Sequence, residues 1–192
     1  MASTRIVDGR EVPMPGKWVF DHDHTVLGFV ARHMVFTKVR GRFNEFDGAI
    51  FIAERPEDSH VELEIDALSL TTEVADRDAH LKSSDFLETE AHPKIIFHST
   101  SVDLEAMTLT GDLTIRGVTH PVTLAFTYEG IVPYPWGGER AMFRAQTEVA
   151  REDWNVSWNV ALETGGWLVS KTVELEIEAQ AVLVEEGSEE EE

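Results

Sequence analysis

A two-residue alternation of apolar and charged side chains governs what this chain folds into. Val61, Leu63, Ile65 and Ala67 fall on one side of an extended backbone, and Glu62, Glu64 and Asp66 on the other. The pattern returns at Val173, Leu175, Ile177, Ala179 and Ala181, set against Thr172, Glu174, Glu176, Glu178 and Gln180. Successive side chains of a strand point to opposite faces, so this alternation marks strands with one buried and one solvated face. Antiparallel sheets commonly show that division. Noisier versions predict strands over 17–20, 24–31, 39–53, 94–104, 108–116, 118–130 and 141–149. Glu105-Ala106, Arg116-Gly117 and residues 133–138 separate them as turns and loops. Gly41 and Gly48 interrupt 39–53, as bends or bulges in a curved strand would.

Only 76–88 reads helically. Ala79, Leu81 and Lys82 are helix formers, Ser84 with Leu87 begins a second short turn, and Pro93 forbids extension. Another short turn is expected over 152–155. About eight or nine strands with so little helix imply an all-β closed barrel or a sandwich. A barrel of about eight strands is wide enough to be filled by side chains or to hold one elongated ligand. Phe29, Phe43, Phe46, Phe97, Phe126 and Phe143 fall among its inward positions, and each alone reads as ordinary core. Residues 1–16 are expected to be an arm leading into the first strand. Residues 17–184 form the single domain, and the Glu-rich 185–192 a disordered acidic tail.

The 192 residues include no cysteine, which excludes thiolate catalysis, disulfides and Cys-based zinc sites. Thirty-six acids against sixteen bases give a formal charge of -20, and this field argues against a nucleic-acid partner. No apolar run approaches the roughly 18 residues of a membrane helix, so the chain is not expected to span a membrane by one. Asp8, Arg10 and Glu11 break the opening where a secretory leader would be apolar, and a cytoplasmic protein is expected. Strand alternation would put His22 and His24 on one face, but no third ligand is spaced to complete a metal site. Asp76-Arg77-Asp78-Ala79-His80 reads structurally: Asp76 or Asp78 caps the helix, and Arg77 meets a carboxylate or backbone carbonyls. Neither G-x-S-x-G nor H-E-x-x-H occurs, so no catalytic residues are assigned. A catalytic alternative would rest on His33 or His98 buried beside a ligand. Trp18, Trp136, Trp154, Trp158 and Trp167 read as core or as residues at the mouth.

Several stretches carry a resemblance. They are Trp18-Val-Phe-Asp-His-Asp-His24-Thr-Val-Leu-Gly-Phe29, Ala31-Arg-His33-Met34, and Val39-Arg-Gly-Arg-Phe43-Asn-Glu-Phe46-Asp-Gly48. Further along stand Arg77-Asp78-Ala-His80-Leu81-Lys-Ser-Ser-Asp85-Phe86 and His92-Pro93-Lys-Ile-Ile-Phe97. Gly111-Asp-Leu-Thr-Ile-Arg-Gly-Val-Thr119-His-Pro121 and Arg151-Glu-Asp-Trp154-Asn-Val-Ser-Trp158-Asn complete the set. In this order, over about 18–183, they resemble the YceI family of lipid-binding, lipocalin-like proteins. Asn155, where a glycine is usual, and Ser170-Lys171, in place of a Gly-Asp turn, depart from the family pattern. Members often carry secretory leaders, which this opening does not resemble.

The resemblance implies a single antiparallel lipocalin-like β-barrel of about eight strands with one or two short helices. It would be a non-catalytic carrier holding a polyisoprenoid, an isoprenoid quinone or a similar long amphiphile, with no cofactor and no metal. Phe29, His33, Phe43, Phe46, Phe86, Phe97, Phe126, Phe143, Trp154 and Trp158 are the candidate cavity residues. Arg77 and His80 are candidates for the head group, and segments 76–88 and 134–140 for movement on release. Proteins of this appearance commonly form homodimers, and no patch in the sequence marks such a face. The alternatives are an enzyme or stress-response protein acting on a small amphiphile, and a filled barrel with an interaction role.

Overall fold

A computed structural model describes residues 3–34, 36–163 and 165–184; the acidic tail lies outside the described residues. An N-terminal hairpin, β1 (Thr4–Val7) and β2 (Arg10–Pro13), precedes β3 (Gly16–Phe20), β4 (Val26–His33), β5 (Thr37–Phe43) and β6 (Phe46–Ile52). Next come β7 (His60–Asp66), the short β8 (Leu70–Thr71), helix α1 (Ala75–Lys82) and β9 (Lys94–Asp103). The chain closes with β10 (Thr108–Ile115), β11 (Val118–Pro133), β12 (Glu139–Ala150) and β13 (Thr172–Leu183).

The strands β12-β11-β10-β9-β7-β6-β3-β13 are neighbours in that order, and β13 pairs back onto β12. The eight strands thus form a closed antiparallel barrel, which decides between barrel and sandwich. Along β13, Leu175, Ile177 and Ala179 face inward while Glu176 and Glu178 face solvent. Their register opposite Thr147, Ala145 and Phe143 of β12 keeps both inner faces in phase.

One side of the wall is built from interrupted strands. β3 pairs with the last residues of β13 and β4 with its first half, so residues 21–25 form a loop between two parts of one wall position. His22 and His24 therefore lie in a turn and not on a strand face. His22 stacks on Phe46 at 4.6 Å, and His24 Nδ1 meets the Asp21 carboxylate at 3.0 Å. The single strand expected over 39–53 is likewise two, because β5 pairs with β4 whereas β6 pairs with β3 and β7, with Asn44 and Glu45 between. The helix ends at Lys82, where the Ser83 hydroxyl and amide both donate to the His80 carbonyl, and 84–87 are turns.

The barrel has two distinct ends. Above lie the β10–β11 turn, α1, segment 83–92 and the short helical turn Arg151–Trp154. Below lie the β6–β7, β9–β10 and β11–β12 loops and the β1–β2 hairpin. Residues 4–13 are not a trailing arm. Arg5 donates to the Ala53 and Glu54 carbonyls, Arg10 to the Leu104 carbonyl, and the Ser3 amide to the Glu139 carboxylate.

Candidate functional site

The barrel axis is occupied by a cavity of about 530 Å³. Phe29 and Phe43 on one wall, Phe97 and Phe126 on another, and Phe143 with Leu175 on a third face it. Many of these inward side chains are only partly buried although they point away from bulk solvent. Gly111 shows how closely the wall is fitted. A Cβ there would sit 2.6 Å from both the Phe97 ring and the His98 carbonyl oxygen, so a hydrogen at this position lets the ring lie flat on β10.

The upper end is roofed by Leu81 of α1, Phe86 and Leu87, and by Trp154, whose indole N–H donates to the Leu113 carbonyl at 3.0 Å. Arg116, at the β10–β11 turn, fastens this roof. Its guanidinium donates to the carbonyls of Ser84, Phe86 and Asn155 and to the Glu88 carboxylate. Arg151 stands beside it, 6% exposed and part of the cavity wall. It donates to the carbonyls of Ser170 and Val156, and one terminal nitrogen has no partner among the described residues. Burial pulls its pKa below the ordinary arginine value, opposed only by nearby Glu152.

The lower end is covered by the N-terminal hairpin, with Val12 and Pro13 reaching the cavity beside Leu104 and Met107. Tyr128, in phase with Val122, Leu124 and Phe126 on β11, brings its hydroxyl here, shielded from water and without a hydrogen-bond partner among the described residues. Burial first, then the charges of Glu11 and Glu139, push its pKa up to about 12. Segment 134–140 is not part of this closure. Arg140 lies over the Tyr134 ring at 4.3 Å and pairs with Asp21 at 2.8 Å, which ties the loop to the outer wall.

Seven of the ten expected cavity residues line it: Phe29, Phe43, Phe86, Phe97, Phe126, Phe143 and Trp154. The other three do not. His33 is exposed at the end of β4, where it bridges Val169 without lining the cavity itself. Phe46 is buried in the core against Phe20 and His22, in register with Ile65, without lining the cavity. Trp158 packs on the outer side of the roof, 5.2 Å from the Phe86 ring. Nor do Arg77 and His80 reach the cavity. Arg77 donates to the Thr72 hydroxyl and carbonyl, and His80 Nε2 contacts Asp85 at 2.8 Å. Both fasten α1 to its surroundings. His98 is exposed on the outside of β9.

Asp78 completes that attachment, although it is not the helix N-cap; Val74 occupies that position without a side-chain bond. Its carboxylate accepts from the Thr72 amide and from the hydroxyls of Thr72 and Thr71. Burial alone would raise its pKa, but these bonds outweigh it and hold the group below 3.8. Among the described residues no three His, Asp or Glu side chains converge as metal ligands would, and no helix is long and apolar enough to cross a membrane.

Comparison with known proteins now places the barrel. A family model described as the YceI-like domain matches residues 18–181. The chain belongs to the YceI family. Protein YceI of Escherichia coli is 40% identical over 136 residues, 69% of this chain and 71% of that protein. A UPF0312 protein of Photorhabdus laumondii is 36% identical over 157 residues, 80% and 79% of the two chains. Among solved structures, Burkholderia cenocepacia BcnA shares the fold with a TM-score of 0.71 at 19% identity, over 85% of this chain and 99% of that one. A polyisoprenoid binding domain from Saccharophagus degradans gives 0.63 at 16% identity, over 88% and 99%.

Within this YceI-like barrel, the two departures from the family pattern have local explanations. Asn155 ends the Arg151–Trp154 turn with φ of 59°, a left-handed conformation that asparagine tolerates better than most residues. Ser170 replaces a turn glycine but takes on work of its own. Its hydroxyl accepts from the Arg32 amide and donates to the Thr172 carbonyl, and its carbonyl holds Arg151. The β1–β2 hairpin lies outside the family match; Asp8-Gly9, both at positive φ between Val7 and Arg10, is the two-residue turn signal that marks it.

Proposed function

We propose that this chain is a non-catalytic carrier that encloses the apolar chain of a polyisoprenoid, an isoprenoid quinone or a similar amphiphile. One observation carries the reading: an almost wholly apolar cavity of about 530 Å³ running along the axis of a closed barrel. That volume is within the roughly 300–1,000 Å³ usual for small-molecule sites. The 12-residue strands β12 and β13, tilted by about 40°, span roughly 30 Å, a length of wall that suits an extended chain. Each buried methylene contributes about 0.8 kcal/mol, so one five-carbon prenyl unit supplies about 4 kcal/mol before the cost of ordering the chain. The Saccharophagus domain named for polyisoprenoid binding has the same fold, which supports the reading.

The test is organic extraction of the purified protein with mass spectrometry, followed by uptake of a prenyl quinone by the delipidated chain. A long-chain isoprenoid near stoichiometry is expected, with saturable uptake. Empty extracts together with no uptake would refute the carrier. A cavity variant separates an open interior from a filled one. Ala145 faces the cavity, so Ala145→Trp is expected to obstruct it, abolishing uptake with little loss of stability. In a packed interior the same change would cost about 1–3 kcal/mol or more.

A further inference from the structure

The most basic stretch of this acidic chain coincides with its most exposed apolar tip. Between Asp23 and Glu45 there is no acid, while Arg32, Lys38, Arg40 and Arg42 make up four of the sixteen bases. These residues form the β4–β5 hairpin, which projects past the upper end of β13. At its tip Phe36 is 88% exposed and Met34 53%. The segment bearing Trp167 and Val160, each 45% exposed, is held against it. The Met34 amide donates to the Leu168 carbonyl, the Ser170 amide to the Arg32 carbonyl, and His33 bridges Val169. The two loops therefore present one surface, with Lys171 5.7 Å from the Trp167 ring.

We propose that this surface docks the protein on an anionic lipid bilayer, with Phe36, Met34 and Trp167 entering the headgroup region and Arg40, Arg42 and Lys38 meeting lipid phosphates. The charges are arranged for it. Arg32 and Lys38 share Glu174 at 3.8 and 3.5 Å, whereas Arg40 and Arg42 are exposed and have no ion-pair partner among the described residues. In the neighbouring stretch 155–171 Glu163 is the only acid. The chain's overall charge of -20 repels an anionic surface at a distance. Screening at physiological salt limits that repulsion to about 8 Å, so the local basic patch decides the docked state. Aromatic side chains beside cationic ones are the composition that lies in a membrane interface. A soluble protein partner of acidic character would need carboxylates facing Arg40 and Arg42, but it would not call for three apolar side chains protruding singly.

The position also fits exchange. The cavity wall reaches Ala31 and Val169, at the root of the same tip. This use in loading and unloading rests on the carrier reading; the docking itself does not.

Cosedimentation of the full chain with vesicles tests the proposal. Phosphatidylcholine vesicles with and without phosphatidylglycerol are compared at low and high salt. Binding to the anionic vesicles, reversed by salt, is expected. Each cation at such a surface is worth about fivefold in partitioning, so the double charge reversal R40E/R42E should weaken binding by at least about 25-fold. Phe36→Ser should weaken it as well. Both variants change exposed side chains and should take up a prenyl quinone from dilute detergent as well as the parent does, while losing transfer from vesicles. Absence of sedimentation with anionic vesicles at low salt overturns the proposal, as does equal binding of parent and R40E/R42E. Failure of quinone uptake by the parent and both variants, with the parent's vesicle binding intact, overturns the carrier reading and leaves docking standing.

Discussion

Arg151 shows how much of this site rests on single residues. A guanidinium buried without a carboxylate is costly, and here two backbone carbonyls, those of Ser170 and Val156, are its hydrogen-bonding compensation. Removing it leaves both acceptors unpaired at the top of an apolar cavity. Arg151→Met is therefore expected to destabilise the barrel by about 3 kcal/mol, read as a lowered urea midpoint at unchanged slope. An unaltered midpoint would mean that water reaches these carbonyls. At this scale the sequence was informative about rings and poor about polar groups. Alternation places Phe97, Phe126 and Phe143 inward, because apolar side chains have one favourable face. It cannot distinguish Arg77, bonded to Thr72 outside the cavity, from Arg151 in its wall, since both are cations with backbone partners within a few residues. Tyr128 was legible by phase alone, being two residues beyond Phe126 on the same face of β11.

Two elements close the cavity, and they differ in how they are held. The hairpin β1–β2 seals the lower mouth through contacts to loop carbonyls, and it is what buries the Tyr128 hydroxyl beside Glu11. Deleting residues 1–14 is expected to bring the Tyr128 pKa from about 12 down toward 10.0 and to speed ligand release. Phenolate absorbance in a Tyr134→Phe background, which leaves one tyrosine, measures the first effect. The linkage has a definite sign. The folded chain keeps this proton while the unfolded chain ionises near 10.0, so stability falls as pH rises from there toward about 12, and the deletion removes that fall. A phenol unmoved by the deletion would show that the hairpin is not the seal. Helix α1 responds to acid instead. Asp78 has a depressed pKa, so its contribution is fully present above 3.8 and is lost as pH falls through the folded value. Protection factors of the α1 amides, taken against the intrinsic exchange rate at each pH, should fall over that range in the parent and stay flat in Asp78→Asn, which is already loosened. The helix was visible from its formers, but not its end. Residues 83–92 owe their shape to Arg116, more than twenty residues away, and no local propensity reports such a contact.

For the whole molecule, closure was recoverable because period-two strands with almost no helix leave few architectures, and the family resemblance reduced these to one. The tall, split side of the wall was not, since 39–53 reads as continuous until its two halves are seen to take different partners. On the carrier reading proposed above, the same shape makes stability depend on cargo. A barrel whose inner face surrounds a void gives up packing contacts that a filled core would have, and an apolar ligand restores them in the native state alone. Ligand at about a hundred times its dissociation constant should then stabilise the fold by about 2.7 kcal/mol. For a chain of this length that corresponds to a rise of roughly 5–11 °C in Tm. Calorimetry of delipidated and quinone-loaded protein gives the comparison, and Ala145→Trp supplies the control. Its indole occupies the space the ligand would take, so its Tm should not respond to the quinone. Equal Tm values for loaded and delipidated parent would place the ligand on the outer surface, where it fills nothing.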